Sequence, residues 1–94
     1  VHDSESLLTD AVNITKKMIQ NSAPVSISLT RQMLWRSLES SGPYDAHVIE
    51  SKAIDSRGAS EDAKEGVSSF LEKRPAKFKN KVSSDMPKFF PWWE

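Results

Sequence analysis

Cysteine is absent from this 94-residue chain, which excludes disulfides, thiolate metal sites and a thiol nucleophile. Histidine occurs only at His2 and His47 and glycine only at Gly42, Gly58 and Gly66. No glycine-rich phosphate loop, Ser/His/Asp set or convincing catalytic dyad can be drawn from so few. No apolar run approaches the ~20 residues of a membrane span, so no membrane association is expected. Residues 1–15 lack the basic start and apolar stretch of a secretory signal. These absences fit a reducing compartment, and a cytoplasmic location is expected. The first residue is Val1 rather than methionine, which suits a piece of a longer chain.

Acidic residues are missing where the cations gather. Net charge is zero over the whole chain. Residues 1–71 hold 7 Lys/Arg against 10 Asp/Glu, and residues 72–94 hold 6 against 3, so a −3 portion is followed by a +3 portion. Between Lys73 and Lys81 no acid appears. Such a basic end suits an anionic ligand or an acidic neighbouring subunit.

Helical periodicity dominates what is present, and strand-like alternation and internal repeats are not found. The stripe Leu8, Ala11, Val12, Thr15, Met18 and Ile19 predicts an amphipathic helix over residues 4–21, capped by Asp3 or Ser4. Pro24 opens a second helix at its first turn, where a missing N–H costs nothing. It is expected to run to Glu39 with Leu29, Thr30, Met33, Leu34 and Leu38 inward. "SSGP" breaks the chain before a third helix, Pro43 to Arg57, with Val48, Ile49 and Ile54 inward. Gly58 is expected to end that helix in the left-handed conformation. Ser60 caps a fourth helix whose apolar face is Ala63, Gly66, Val67, Phe70 and Leu71, and Pro75 stops it. The fold class is therefore all-α, with about four helices in residues 1–81 and an extended aromatic tail in residues 82–94.

That tail, "SSDMPKFFPWWE", holds Phe89, Phe90, Trp92 and Trp93 on a backbone extended by prolines. So much apolar surface is expected to be covered, as an assembly element against another subunit or by folding back over its own helices.

Candidate chemistry centres on Phe70, Lys73 and Arg74, which share one side of a helix end. A ring and two cations there suit a nucleotide bearing phosphate; a core phenylalanine with cations at the negative helix end suits the pattern equally. Gly66, one turn earlier, lets a helix or a ligand approach the backbone closely, with packing favoured. His47 and Glu50 are too few to hold a metal, so no metal site is expected. Glu61, Asp62 and Glu65 lie at a helix N-terminus, where the macrodipole accounts for them.

The stretch "GASEDAKEGVSSFLEKRPAKF", residues 58–78, resembles the closing helix of the enoyl-CoA hydratase/isomerase, or crotonase, superfamily. There the pattern is T/S-x-D-x-x-E-G-x-x-A-F-x-E-K-R-x-P-x-F, and Ser69 stands here where alanine is usual. "SAPVSISLTRQML", residues 22–34, is similar to the family's S-P-x-A-x-x-x-T-K helix, with Arg31 for the frequent lysine. Val1 to Leu8 resembles the exit from the family's spiral core, so the likeness runs in order over residues 1 to about 80. The ending "DMPKFFPWW" resembles that of one bacterial branch.

The resemblance implies a helical trimerisation region that covers part of an acyl-CoA site, with the β/α spiral core absent. The oxyanion hole and catalytic acids belong to that core, so no catalytic residue is expected here. It also implies CoA contacts at Ile54, Phe70 and Lys73, near the adenine and 3′-phosphate; Ile54 stands where an aromatic is often found. The implied partners are the acyl-CoA substrate and further copies of the chain, as a trimer or a dimer of trimers. Coenzyme A would enter as part of the substrate, with no separate cofactor and no nucleic acid. The implied activity is that of a lyase of fatty acid metabolism, hydrating 2-enoyl-CoA thioesters. An enoyl-CoA isomerase, or a non-enzymatic helical binding or oligomerisation module, is the alternative.

Overall fold

A computed structural model describes all residues, 1–94. Four helices follow one another with no strand: α1 (Leu7–Ile19), α2 (Pro24–Ser37), α3 (Pro43–Gly58) and α4 (Glu61–Leu71). Pro24 and Pro43 open α2 and α3 as the sequence predicts. Ser60 caps α4, its Oγ accepting from the Ala63 amide at 3.2 Å. At the start of α1, Ser6 rather than Asp3 or Ser4 occupies the cap position, and no side chain bonds the free amides.

The helix pairs that pack are α2 with α3 and α3 with α4. Their core is small: Val25 and Leu29 from α2 and Ala53 from α3. Met33 from α2 and Met86, Phe89, Phe90 and Trp92 from the tail close over it. The tail rings brace one another at steep angles, Trp92 to Trp93 at 5.0 Å and Phe90 to Trp93 at 5.2 Å between centroids. The Arg36 guanidinium lies over the Trp93 ring at 4.1 Å, a favourable cation–ring contact that ties the last turn of α2 to the tail. The aromatic end therefore folds back on its own chain. An assembly role is not needed to cover it, because a core of three side chains cannot exclude water without the rings.

Several expected inward faces point outward. No residue of α1 is buried, and Leu8 and Met18 are 78% and 75% exposed. Thr30, Leu34, Leu38 and Ile54 are exposed as well, whereas Ala53 is buried. On α4, Val67, Phe70 and Leu71 face solvent while Asp62 and Ser69 are buried. Gly58 remains helical, since no glycine has a positive φ. Its place in left-handed geometry is taken by Lys73, at φ 53°.

The consequence is an open molecule. Its accessible surface is 7619 Å², where a folded monomer of this mass exposes about 5,500 Å². The radius of gyration is 16.1 Å, against about 12 Å for a compact domain of this length. Leu8, Met18, Leu34, Leu38, Phe70 and Leu71 are among the large apolar side chains that this chain leaves uncovered.

Candidate functional site

The end of α4 is built by its last carbonyls. The Lys73 amide donates to the Phe70 carbonyl at 3.2 Å and the Arg74 amide reaches back to Ser69 at 3.0 Å. This pair of bonds ends a helix through one left-handed residue, a position that glycine usually fills. A side chain there meets the following carbonyl, at a cost of roughly 1 kcal/mol or more. Lysine holds the position here.

Pro75 then sends the chain back along α4 as an extended strap. Glu65 accepts from the Lys77 amide at 2.9 Å, and Asp62 Oδ1 accepts from the Lys79 and Asn80 amides at 2.8 and 3.1 Å. Carboxylates on one face of α4 thus satisfy strap amides that have no sheet to join. Ala76, Phe78 and Asn80 turn inward, and Lys77, Lys79 and Lys81 turn out. Phe78 lies over Gly66, where an added Cβ would sit 3.8 Å from its ring. That is ordinary contact distance, so the approach is close without demanding glycine.

Asp62 is the buried member of this arrangement, with its side chain 2% exposed. Its Oδ2 has no hydrogen-bond partner and lies 3.9 Å from Arg57 Nη2. Arg57 Nη2 donates to Asn80 Oδ1 at 2.8 Å, which ties α3 to the strap beside the carboxylate. The dipole reading of Asp62 and Glu65 is thus incomplete: both side chains bond the strap. Glu65 also takes both nitrogens of the Arg74 fork, and Glu72 takes Arg74 Nε. The Arg74 and Lys77 bonds hold the Glu65 carboxyl at about 2, below its usual 4.5. The bonds to Glu65 and Glu72 push the Arg74 guanidinium further up. The Lys81 amide and the Ser84 hydroxyl lower Asp85.

These shifts make the strap acid-sensitive. A carboxyl whose folded pKa is depressed contributes stability above its ordinary pKa and loses it as pH falls towards the folded value. Chemical denaturation midpoints are expected to fall between about pH 4.5 and 2, and Glu65→Gln is expected to flatten that limb. An unchanged acid limb in the variant would show that Glu65 does not hold the strap.

Of the sequence-predicted residues, Phe70 and Lys73 come together at the end of α4. Phe70 is 82% exposed and is not core. The Lys73 side chain is exposed and lies in no ion pair, whereas Arg74 is committed to two glutamates. Ile54 stands elsewhere, in clefts between α2, α3 and the start of α4 that also involve Ser26 and Arg57. Neither Phe70 nor Lys73 borders them. His47 and Glu50 are exposed on α3. No group of three metal-ligating side chains gathers anywhere in the chain, and no helix is long and apolar enough to cross a membrane. Reasoning from sequence missed Asp62, Arg57 and Asn80 as a unit. The signal was present in the period-2 run K-x-K-x-K at 77–81 beside a D-x-x-E pair on one helix face.

The fold and this site define an all-helical segment with a large uncovered apolar surface, its last helix ending in an exposed ring and an unpaired lysine. No family model matches the chain. Three curated proteins of Alternaria alternata, named enoyl-CoA hydratase ACTT3, AFT3-1 and AKT3-2, are each 39% identical to it over 80 residues. The matches cover 85% of this chain but only 26% of each of those proteins, so the chain spans about a quarter of their length. The chain is thus a relative of the enoyl-CoA hydratases, in the pattern of a C-terminal segment of a crotonase-family protein.

Proposed function

We propose that this chain is the C-terminal oligomerisation segment of an enoyl-CoA hydratase, and that it covers part of the acyl-CoA site. The intact protein would add water across a 2-enoyl thioester, with coenzyme A entering as the carrier part of the substrate. The observation that carries the reading is Lys73. A lysine in a left-handed position, beside an exposed phenylalanine and with no anionic partner, is costly for the fold and suited to a phosphate. Phe70 offers the adenine a face, and Lys73 meets the 3′-phosphate as a point charge. Ile54 would add apolar contact from its own cleft, reached across a subunit boundary. The apolar stripe of α1 supports the oligomerisation role, as a trimer or a dimer of trimers of the intact protein, because its exposed leucines and Met18 find cover only outside this chain.

The test is calorimetric titration of the chain with CoA and with dephospho-CoA, using Lys73→Ala and Lys73→Gly. Losing one charge-assisted contact at an exposed site is expected to weaken CoA binding by about 5- to 30-fold. Dephospho-CoA should be nearly indifferent. The glycine variant should lose the same affinity while melting no lower than the parent, since glycine relieves the left-handed position. In a full-length hydratase carrying this segment, the alanine variant should raise KM with kcat nearly unchanged, because a remote contact binds ground and transition states alike. Equal losses on both ligands would place Lys73 in structure instead.

A further inference from the structure

Lys73 and Arg74 follow Phe70 at the end of α4, and two glutamates share that end with them. Glu65 and Glu72 are seven residues apart, about two helical turns, so they lie on one face. Glu72 also directly precedes Lys73 in the chain. With two acids so close, Lys73 would ordinarily find a carboxylate. It has none within ion-pair distance, and its side chain is exposed.

Arg74 accounts for the missing pair. Its Nη1 and Nη2 donate one to each oxygen of Glu65, the second at 3.1 Å. Its Nε donates to Glu72 Oε2, and Nη1 also reaches the Pro75 carbonyl at 3.3 Å. These four bonds leave one of the five N–H donors of a guanidinium uncommitted. A planar fork holds one carboxylate by two parallel bonds while its third nitrogen turns to another acceptor, which a single ammonium cannot do. The Lys77 amide fixes Glu65 from the strap side at 2.9 Å. The Glu65 side chain is 22% exposed, so dissolved ions screen the pair only in part. Spacing offers Lys73 and Arg74 equally to a phosphate, and their contacts separate them. A phosphate at Arg74 would have to displace two carboxylates, whereas one at Lys73 displaces water.

We propose that Arg74 is a positioning residue for the CoA contact: by occupying Glu65 and Glu72 it keeps the Lys73 ammonium free for the 3′-phosphate. This role rests on the CoA reading above and adds the device that preserves it. Without Arg74, Glu72 would stand beside Lys73 with no other cation, and a phosphate would have to displace that carboxylate. The released acids would also repel the phosphate directly.

The chain would be titrated calorimetrically with CoA and with dephospho-CoA at constant ionic strength. The variants are Arg74→Gln, Lys73→Ala, the two combined, and Arg74→Gln combined with Glu72→Gln. Arg74→Gln is expected to weaken CoA binding about three- to tenfold, the scale of a competing surface ion pair with added repulsion. Dephospho-CoA should change less than about twofold. Arg74→Gln with Lys73→Ala should bind CoA no more than about twofold weaker than Lys73→Ala alone, because the two residues act on one contact. Arg74→Gln with Glu72→Gln keeps the parent's net charge and leaves Glu65 on the Lys77 amide. Its CoA affinity should return to within about twofold of the parent. If Arg74 only holds the turn, Arg74→Gln weakens both ligands alike and Glu72→Gln restores nothing. If Arg74 binds the phosphate itself, the losses from Arg74→Gln and Lys73→Ala add. Either result overturns the proposal, as does an Arg74→Gln that leaves CoA binding unchanged while Lys73→Ala lowers it. An indifferent Lys73→Ala instead removes the CoA reading, and the role of Arg74 falls with it.

Discussion

Replacing Asp62 with alanine is expected to destabilise the chain by about 3 kcal/mol or more, the range for removing one member of a buried charged network. The loss would not come mainly from the Arg57 pair, which at 3.9 Å is longer than a hydrogen bond. It would come from the Lys79 and Asn80 amides, which have no strand partner and would be left without an acceptor. A hydrogen bond to a charged acceptor contributes about 1.5–3 kcal/mol, and Arg57 would lose the buried carboxylate that lies 3.9 Å from it. Asp62→Asn keeps an acceptor oxygen and should lose distinctly less. Urea unfolding measures the total, and hydrogen exchange at Lys79 and Asn80 should accelerate before the helices open. A loss under about 1 kcal/mol would mean that Phe78 packing, rather than the carboxylate, holds the strap.

Deleting residues 87–94 should lower the melting temperature by roughly 10–20 °C, from a loss of about 2–3 kcal/mol. Val25 and Leu29 are 0% and 1% exposed, yet α2 and α3 alone do not enclose them. Phe89, Phe90 and Trp92 supply the missing wall. Uncovering large side chains resembles cutting cavities beside them, which typically costs 2–5 kcal/mol for a full truncation. The entropy cost of ordering those eight residues on folding is also removed, which offsets part of the loss. The shift should be independent of protein concentration, with light scattering unchanged across a dilution series. A concentration-dependent shift with dissociation would return the tail to the role of an assembly element.

Helix placement was legible because it depends on local chemistry. Pro24 and Pro43 opened helices where a first-turn proline is harmless, and Ser60 accepted from an amide three residues on. Misreading began where a local rule had two solutions. Gly58 and Lys73 both lie near helix ends, and a preference for glycine in left-handed positions selects Gly58. The chain places Lys73 there instead, because the return of the strap requires the turn at the end of α4, not at the end of α3.

Phe70 and Lys73 could be placed at one helix end from the sequence, but Lys73 lies beyond Leu71 at φ 53°, where helical spacing no longer sets the direction of its side chain. Ile54 could not be placed beside them, because that depends on how α3 crosses α4, and in this chain it lies in another cleft. Asp62 looked like an ordinary acidic residue in a first turn. Its partners are amides 17 and 18 residues further on, and nothing local announces a hydrogen bond of that range.

The residues themselves, through proline geometry, capping and a 3.6-residue period, were enough to specify four helices and their order. Tertiary structure alone decided which faces are covered. An amphipathic stripe states that apolar residues need cover, not what supplies it: the tail rings supply it for α2 and α3, the strap covers the polar face of α4, and α1 keeps its stripe exposed.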